Sequence, residues 1–400
     1  MLYKKTNRQR RYELDWLRVY AIFLLIAIHA AAIFDPFPVT AVKGRESVVM
    51  KMFAIFVHQW RLSILFLISG AGAYFALNSL GGIGFVRMRF RRILVPLLVG
   101  TVVVVPVHLY YWVSGLYPGR YSSYFDFYTQ LLNNAVHGRI WTRPEYLHWA
   151  HLWFLAYLFI ISAVTAPLLV FLRKPNNRAR LARLTELCHT KTGLLLLPLV
   201  PLVATELILR PLSPGDAGPN LINDWANVAM YLIDYLYGYL IYSDDALRAS
   251  VKRAAPIALA LAVLTTAITY LMGVSFGWIP FAVLRTGNAW FWIVAILGFG
   301  IRYLNYTNKI LPYANEAAYP IYVIHLPILS IVAYQVVKWN APVAVQFIAI
   351  IAGTLICAIA IYALLIRQTR ITRFLFGLKP RKRQSDQLSS TRPTPLSGTV

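Results

Sequence analysis

Apolar residues gather in ten runs separated by short polar segments, at approximately 16–34, 57–78, 93–113, 149–172, 193–210, 225–243, 254–273, 288–304, 317–338 and 341–366. A run of about 20 such residues is long enough to cross the hydrocarbon core of a bilayer as a helix. The pattern therefore predicts an all-α polytopic membrane protein with about ten transmembrane helices, of which the fifth and eighth are short. The polar intervals divide the chain into a basic N-terminal segment, 1–15, a membrane domain, 16–375, and a tail, 376–400. That tail is rich in Ser, Thr, Pro and basic residues and has no apolar period, so disorder is expected for it. No internal repeat and no second soluble domain is visible.

Composition supports that reading, since 58% of residues are hydrophobic and only 14% charged, with a mean hydropathy of +0.58. A soluble protein has fewer apolar residues and about a quarter charged. The net charge of +24 changes the picture more. Its basic residues fall in short clusters between apolar runs, and no nucleic-acid motif accompanies them, so the expected partner is the lipid bilayer and not a nucleic acid. With the N-terminus inside, 28 Lys and Arg lie on cytoplasmic segments and 9 on the opposite ones, which predicts both termini in the cytoplasm. The first run could pass for a signal peptide, but Asp15, Arg18 and the many later spans favour a retained helix. Cys188 and Cys357 form no disulfide or metal pattern, and no metal site is expected.

Candidate chemistry starts in the first span. Arg18 and His29 are eleven residues apart, three turns plus about 20°, so they share one helix face with a rise of about 16 Å between them. Ionisable groups at such depth are expensive and usually line a polar cavity. His325, about 12 Å into the ninth span, matches His29 in depth. Arg87, Arg89, Arg91 and Arg92 form a cytoplasmic basic turn, suited either to lipid headgroups or to a phosphate clamp. At the outer boundary His148, His151 and Trp153 stand together, a grouping able to hydrogen-bond and stack on a sugar. The outer connection 114–148 holds Tyr117-Pro118-Gly119-Arg120 with Tyr121, Tyr124, Phe125, Phe127 and Trp141, and no clear period. It reads equally as a cover over an acceptor site or as an interfacial aromatic belt. Leu67-Ile68-Ser69-Gly70-Ala71-Gly72-Ala73 offers small residues for close helix packing. Glu206 and Asp234 are intramembrane acids expected to partner a buried base or hydroxyl.

No Walker A, G-x-S-x-G, H-E-x-x-H or dinucleotide fingerprint occurs, which argues against a nucleotide-driven pump or a serine hydrolase. The ordered set of motifs resembles the acyltransferase 3 family of integral-membrane acyltransferases. Arg18 to His29 is similar to its arginine, ten residues, histidine motif, and Arg89-Phe90-Arg91-Arg92 to its R-x-x-R turn. Leu67 to Gly70, His151 to Leu155 and Ile321 to His325 resemble its recurring segments. The opening Tyr12 to Val19 is closest to a branch linked to succinylation of periplasmic glucans.

That resemblance implies a bacterial inner-membrane enzyme moving an acyl group from cytoplasmic acyl-CoA, acetyl-CoA or succinyl-CoA, to a hydroxyl of an extracytoplasmic glycan. Arg89, Arg92 and Arg18 would hold the CoA phosphates. His29 would be general base or transient acyl carrier, and His325 would orient the thioester or the acceptor. His148, His151 and Trp153 fall on the acceptor side. The competing class is a proton-coupled transporter or exporter, with Asp234 and Glu206 as proton sites.

Overall fold

In the computed structural model the described residues are 10–35, 42–140, 143, 145–213, 221–272 and 278–380. Trp141 and residues 381–400 of the expected disordered tail lie outside them. The chain runs through α1 (Tyr12–Ala31), α2 (Val48–His58), α3 (Arg61–Arg89), α4 (Val95–Val99), α5 (Val105–Leu116), α6 (Tyr124–Val136), α7 (Trp153–Leu172) and α8 (Pro175–Thr185). It continues as α9 (Lys191–Leu196), α10 (Leu199–Ala204), α11 (Trp225–Ser243), α12 (Asp245–Met272), α13 (Trp278–Tyr303), α14 (Ile310–Val336), α15 (Val343–Ile361) and α16 (Arg370–Leu375). No strand occurs among the described residues, and the one isolated bridge pairs Ile140 with Leu147. The fold is all-α, as the hydrophobic pattern requires.

Eight helical stretches are long and apolar enough to cross a membrane. One of them, Val48–Leu116, is 69 residues long and contains both the second and the third expected spans. As a straight rod it would measure about 100 Å, three times a bilayer core, so it must fold back. Gly81 supplies the break with φ +68° and ψ −177°, a conformation in which a Cβ would be strained. Arg89 donates to the Ser69 carbonyl at 3.1 Å across that break. Twenty residues of unbroken helix would hold those two groups about 30 Å apart. Arg173, the residue after α7, donates to the Leu77 carbonyl at 2.9 Å and so satisfies a carbonyl next to the break. The expected sixth span, 225–243, coincides with α11 but is not among the eight apolar stretches.

Helices overrun the apolar runs where hydrogen bonding persists into the interface. α12 begins at Asp245 against an expected 254, and α14 at Ile310 against 317. The R-x-x-R segment is likewise no loose turn. Phe90–Leu94 forms a π-helical turn directly before Pro96, whose ring cannot donate to the Arg92 carbonyl and crowds it, and widening the turn relieves that clash. A second π turn, Gly100–Val104, precedes Pro106 in the same way.

The long connection 114–148 departs from expectation. It carries the 13-residue helix α6, started by the Ser123 hydroxyl accepting from the Asp126 amide at 3.2 Å. Tyr124, Phe127, Tyr128 and Leu131 recur at helical spacing, and Phe127 and Leu131 are buried. An ion pair between Arg120 and buried Glu145, 3.4 Å apart, ties its two ends.

At the centre stands α14, buried without interruption from Ile321 to Ser330, as a helix apolar on all sides must be. One core cluster unites α1, α3, α5, α7, α14 and α15, and a second unites α9, α11, α12 and α13 with α1 and α3. The seam between α3 and α11 is set by glycine. A Cβ on Gly70 would fall 1.8 Å from the Tyr235 carbonyl oxygen, and one on Gly238 1.8 Å from that of Leu67. The packing role expected for the small-residue run is thus met at Gly70, whereas a Cβ on Gly72 would have nothing within 4 Å. Gly70→Ala should therefore lower the melting temperature of the detergent-solubilised protein by the equivalent of about 1–3 kcal/mol, while Gly72→Ala leaves it unchanged. Equal melting temperatures for the two variants would refute the seam.

Candidate active site

The first part of the site lies at the starts of α1 and α14. Asp15 accepts from Arg10 Nε at 2.8 Å, from Asn315 Nδ2 at 2.9 Å and, at the long distance of 3.5 Å, from Arg18 Nη1. Arg18 also donates to Asn315 Oδ1 at 3.0 Å. Its side chain stays 36% exposed. Arg92 Nε reaches the Gly377 carbonyl at 3.3 Å, and the Arg89 guanidinium stacks over the Phe85 ring at 5.0 Å with its Nε buried and unpartnered. Arg18, Arg89 and Arg92 lie within electrostatic reach of one another. Tyr319 lies within electrostatic reach of Arg89 and Arg92 and has a buried hydroxyl with no partner among the described residues. Arg18 and the Arg89, Arg92 pair, which lie on separate segments of the chain, therefore converge, and Tyr319 joins them.

α1 and α14 run parallel, which two contacts demonstrate. Arg18 meets Asn315 at one end, and the His29 and His325 rings lie with centroids 5.4 Å apart at the other. Eleven residues separate the pair on α1 and ten separate the pair on α14, a rise of about 15–16 Å in both. His29 is only half-buried despite its depth, and no hydrogen bond holds its ring among the described residues. His325 is fully buried and touches the Tyr322 carbonyl through Nδ1 at 2.6 Å, while Nε2 has no partner. A ring nitrogen facing a carbonyl must carry the proton, so Nε2 keeps its lone pair. His151 mirrors this. Its Nε2 meets the Val323 carbonyl at 2.9 Å, its Nδ1 is open, and its ring lies 5.0 Å from that of His325. Two histidines with fixed tautomers and one without such a constraint thus form a cluster fit for proton transfer or nucleophilic attack.

The outer group does not stay together. His151 joins His325, and Tyr322 clamps it by donating to its carbonyl at 2.7 Å. His148 turns the other way, its Nδ1 on the Tyr146 carbonyl at 2.8 Å and its ring 6.3 Å from Trp112. Burial pushes the His148 imidazole below the usual histidine range, and the Tyr146 contact opposes that only in part. Trp153 packs against Tyr157 and Tyr231 at 5.0 and 6.0 Å. Asp234 lies near Ser63 across the glycine seam, and its Oδ2 is buried with no partner among the described residues. Glu206 is gripped by Arg210 at 2.6 Å and by Arg285, beside a cavity of about 270 Å³. A carboxylate held by two guanidiniums is an ion-pair centre.

Two polar residues of this region had no assigned role. His108 of α5 is buried, with Nδ1 donating to Ser330 Oγ at 2.8 Å, since that hydroxyl gives its own proton to the Leu326 carbonyl. Arg61 is buried beside the cluster, within electrostatic reach of His29 and His325. Both lie within apolar runs, the same signal that singled out His29. Arg61 stands at the start of the second run, where His58-Gln59-Trp60-Arg61 reads from the sequence as an interfacial edge.

A helical membrane bundle with converging arginines below a histidine cluster is the setting in which the family assignment falls. Residues 11–363 match the Acyl_transf_3 family, an acyltransferase domain, and the chain belongs to that family. It is a membrane acyltransferase. Among the proteins it is similar to are those named Glucans biosynthesis protein C in Escherichia coli. The one from strain K12 is 24% identical over 410 residues, covering 95% of this chain and 97% of its own, and the one from O157:H7 is 23% identical over 411 residues. No solved structure matches.

Proposed function

We propose that this protein transfers an acyl group, acetyl or succinyl, from cytoplasmic acyl-CoA to a hydroxyl of an extracytoplasmic glucan, in the inner membrane of a bacterium. The observation that carries the reading is the matched pair of contacts between α1 and α14. An arginine cluster at one end and a histidine cluster at the other stand about 16 Å apart along one polar line through an apolar bundle. The glucan acceptor is suggested by the name of the similar proteins.

In this reading Arg89, Arg92 and Arg18 take the CoA phosphates, with the Tyr319 hydroxyl beside them, because guanidiniums bind phosphoryl oxygens in bidentate pairs. The pantetheine arm extends along α1 to the histidines. His29 removes the acceptor's proton or carries the acyl group transiently. His325, its tautomer held by Tyr322, presents a lone pair to the same space. His151 belongs to this reacting group, while His148 and Trp153 bound the acceptor side from two directions. The alternative of a proton-coupled carrier loses support at Glu206, which is committed to Arg210 and Arg285.

Ten crossings with both termini cytoplasmic complete the proposal, counting two in 48–116 and one in α11. Reporter fusions at Arg178 and after Lys379 should read cytoplasmic, and one at Asn134 extracytoplasmic. A cytoplasmic signal at Asn134 would invert the path.

His29→Ala should abolish the acyl mass on envelope glycans, followed by mass spectrometry, while membrane insertion is kept. Undiminished product in that variant would end His29's role.

Acyl-CoA dependence is tested by binding. CoA or acetyl-CoA should raise the melting temperature of the purified protein, because a ligand of the folded state alone must stabilise it. Arg92→Ala should raise the apparent donor KM about ten- to a hundredfold, since a charge-assisted contact contributes roughly 1.5–3 kcal/mol. Arg92→Lys should recover part of that loss. A melting temperature indifferent to both ligands would favour the carrier.

A further inference from the structure

The other partly buried arginines named above each have a carboxylate, a carbonyl or an amide to bond. Arg18 has Asp15 and Asn315, Arg89 has Ser69, Arg92 has Gly377, and Arg210 and Arg285 share Glu206. Arg61 differs. It is 8% exposed, it makes no ion pair among the described residues, and its Nε and Nη1 are buried without a partner. Its single polar contact among the described residues is a long one, Nη2 to His58 Nδ1 at 3.5 Å. A guanidinium out of water without a counter-charge is strongly unfavourable. Such a group persists where the charge it complements arrives with the substrate or forms during the reaction.

Its surroundings identify that charge. Arg61 opens α3, the helix whose glycine seam fixes its position against α11, and its near neighbours include Tyr231 and Tyr322. Tyr322 also holds the tautomer of His325 and clamps His151. The guanidinium therefore lies within electrostatic reach of the histidine cluster, with its Nε and Nη1 uncommitted.

We propose that Arg61 is a catalytic residue that stabilises the oxyanion formed on the acyl carbonyl during transfer, an inference that rests on the acyl-CoA reading above. The acceptor hydroxyl oxygen bonds to the thioester carbon as its proton passes to a histidine. The carbonyl π pair moves onto oxygen, and Arg61 meets that negative charge with its free N–H groups. On collapse the pair returns to restore C=O, the C–S bond breaks, and sulfur leaves with its electron pair and takes the proton from the histidine as CoA thiol. If the acyl group rests first on an imidazole, the same oxyanion forms twice.

The test uses the full-length protein in lipid nanodiscs, with acetyl-CoA or succinyl-CoA as donor, a glucose oligosaccharide as acceptor, and release of CoA thiol as the signal. Arg61→Gln should lower kcat about 10²–10³-fold, the effect of losing one oxyanion donor, and leave donor KM within about twofold. Arg61→Lys, which keeps charge without the fork, should fall between wild type and Arg61→Gln, at least about tenfold below wild type. Melting temperatures with and without CoA report whether each variant is folded, and if Arg61→Gln is not, Arg61→Lys carries the test alone. A wild-type kcat in a folded variant, or a rise in donor KM at constant kcat, would overturn the role of Arg61 only. A wild-type protein that releases no thiol from either donor would remove the acyl-CoA reading and this inference with it.

Discussion

The parallel contact between α1 and α14 is the interaction on which the rest depends. Hydrocarbon offers no partner to a polar side chain, so each one inside the bundle must find its partner on another helix or line a space where water or substrate supplies it. At one end Asp15 gathers Arg10, Arg18 and Asn315, and at the other His29 faces His325. Fixing both ends sets register and direction together. A slip of one residue turns a helix by about 100°, which would break both contacts at once.

Around that pair, close approach of backbones decides which side chains can reach it. The α3 and α11 helices touch at Gly70 and Gly238, where no side chain would fit. That seam brings Ser63 near Asp234 and Phe66 onto Tyr231 at 4.4 Å between ring centroids. The reversal at Gly81 then brings the Arg89 to Arg92 turn back against α3, and the π turn before Pro96 gives that segment its width. Backbone strain at a glycine and a missing N–H at a proline thus place the arginines as surely as their charge does.

The histidine cluster shows how backbone carbonyls prepare chemistry. Tyr322 and Val323 present their carbonyls to His325 and His151, so each ring is held in one tautomer with its other nitrogen open. Pro327 lies in α14 four residues beyond Val323, and its missing N–H leaves that carbonyl available to His151. A helix that is apolar on every side therefore still carries two oriented hydrogen-bond acceptors at its centre.

Local information alone established much of this. Twenty-residue apolar runs, the basic asymmetry and the eleven-residue interval from Arg18 to His29 follow from helix geometry and bilayer thickness, which act over a few turns of chain. They gave the all-α bundle, nearly all of the helix positions, and the residues of the two arginine and histidine groups. The helix in 124–136 was equally legible, for Tyr124, Phe127, Tyr128 and Leu131 keep its period, but their aromatic rings read as an interfacial belt. Which groups meet was not legible. His151 joins His325 across more than 170 residues, His148 and Trp153 part company within six, and Arg61 turns from an interfacial edge into the bundle beside His29. Those outcomes depend on helix packing at Gly70 and Gly238 and on turns at Gly81 and Pro96, and a side chain's partner on a distant helix leaves no mark on its own neighbours in the chain.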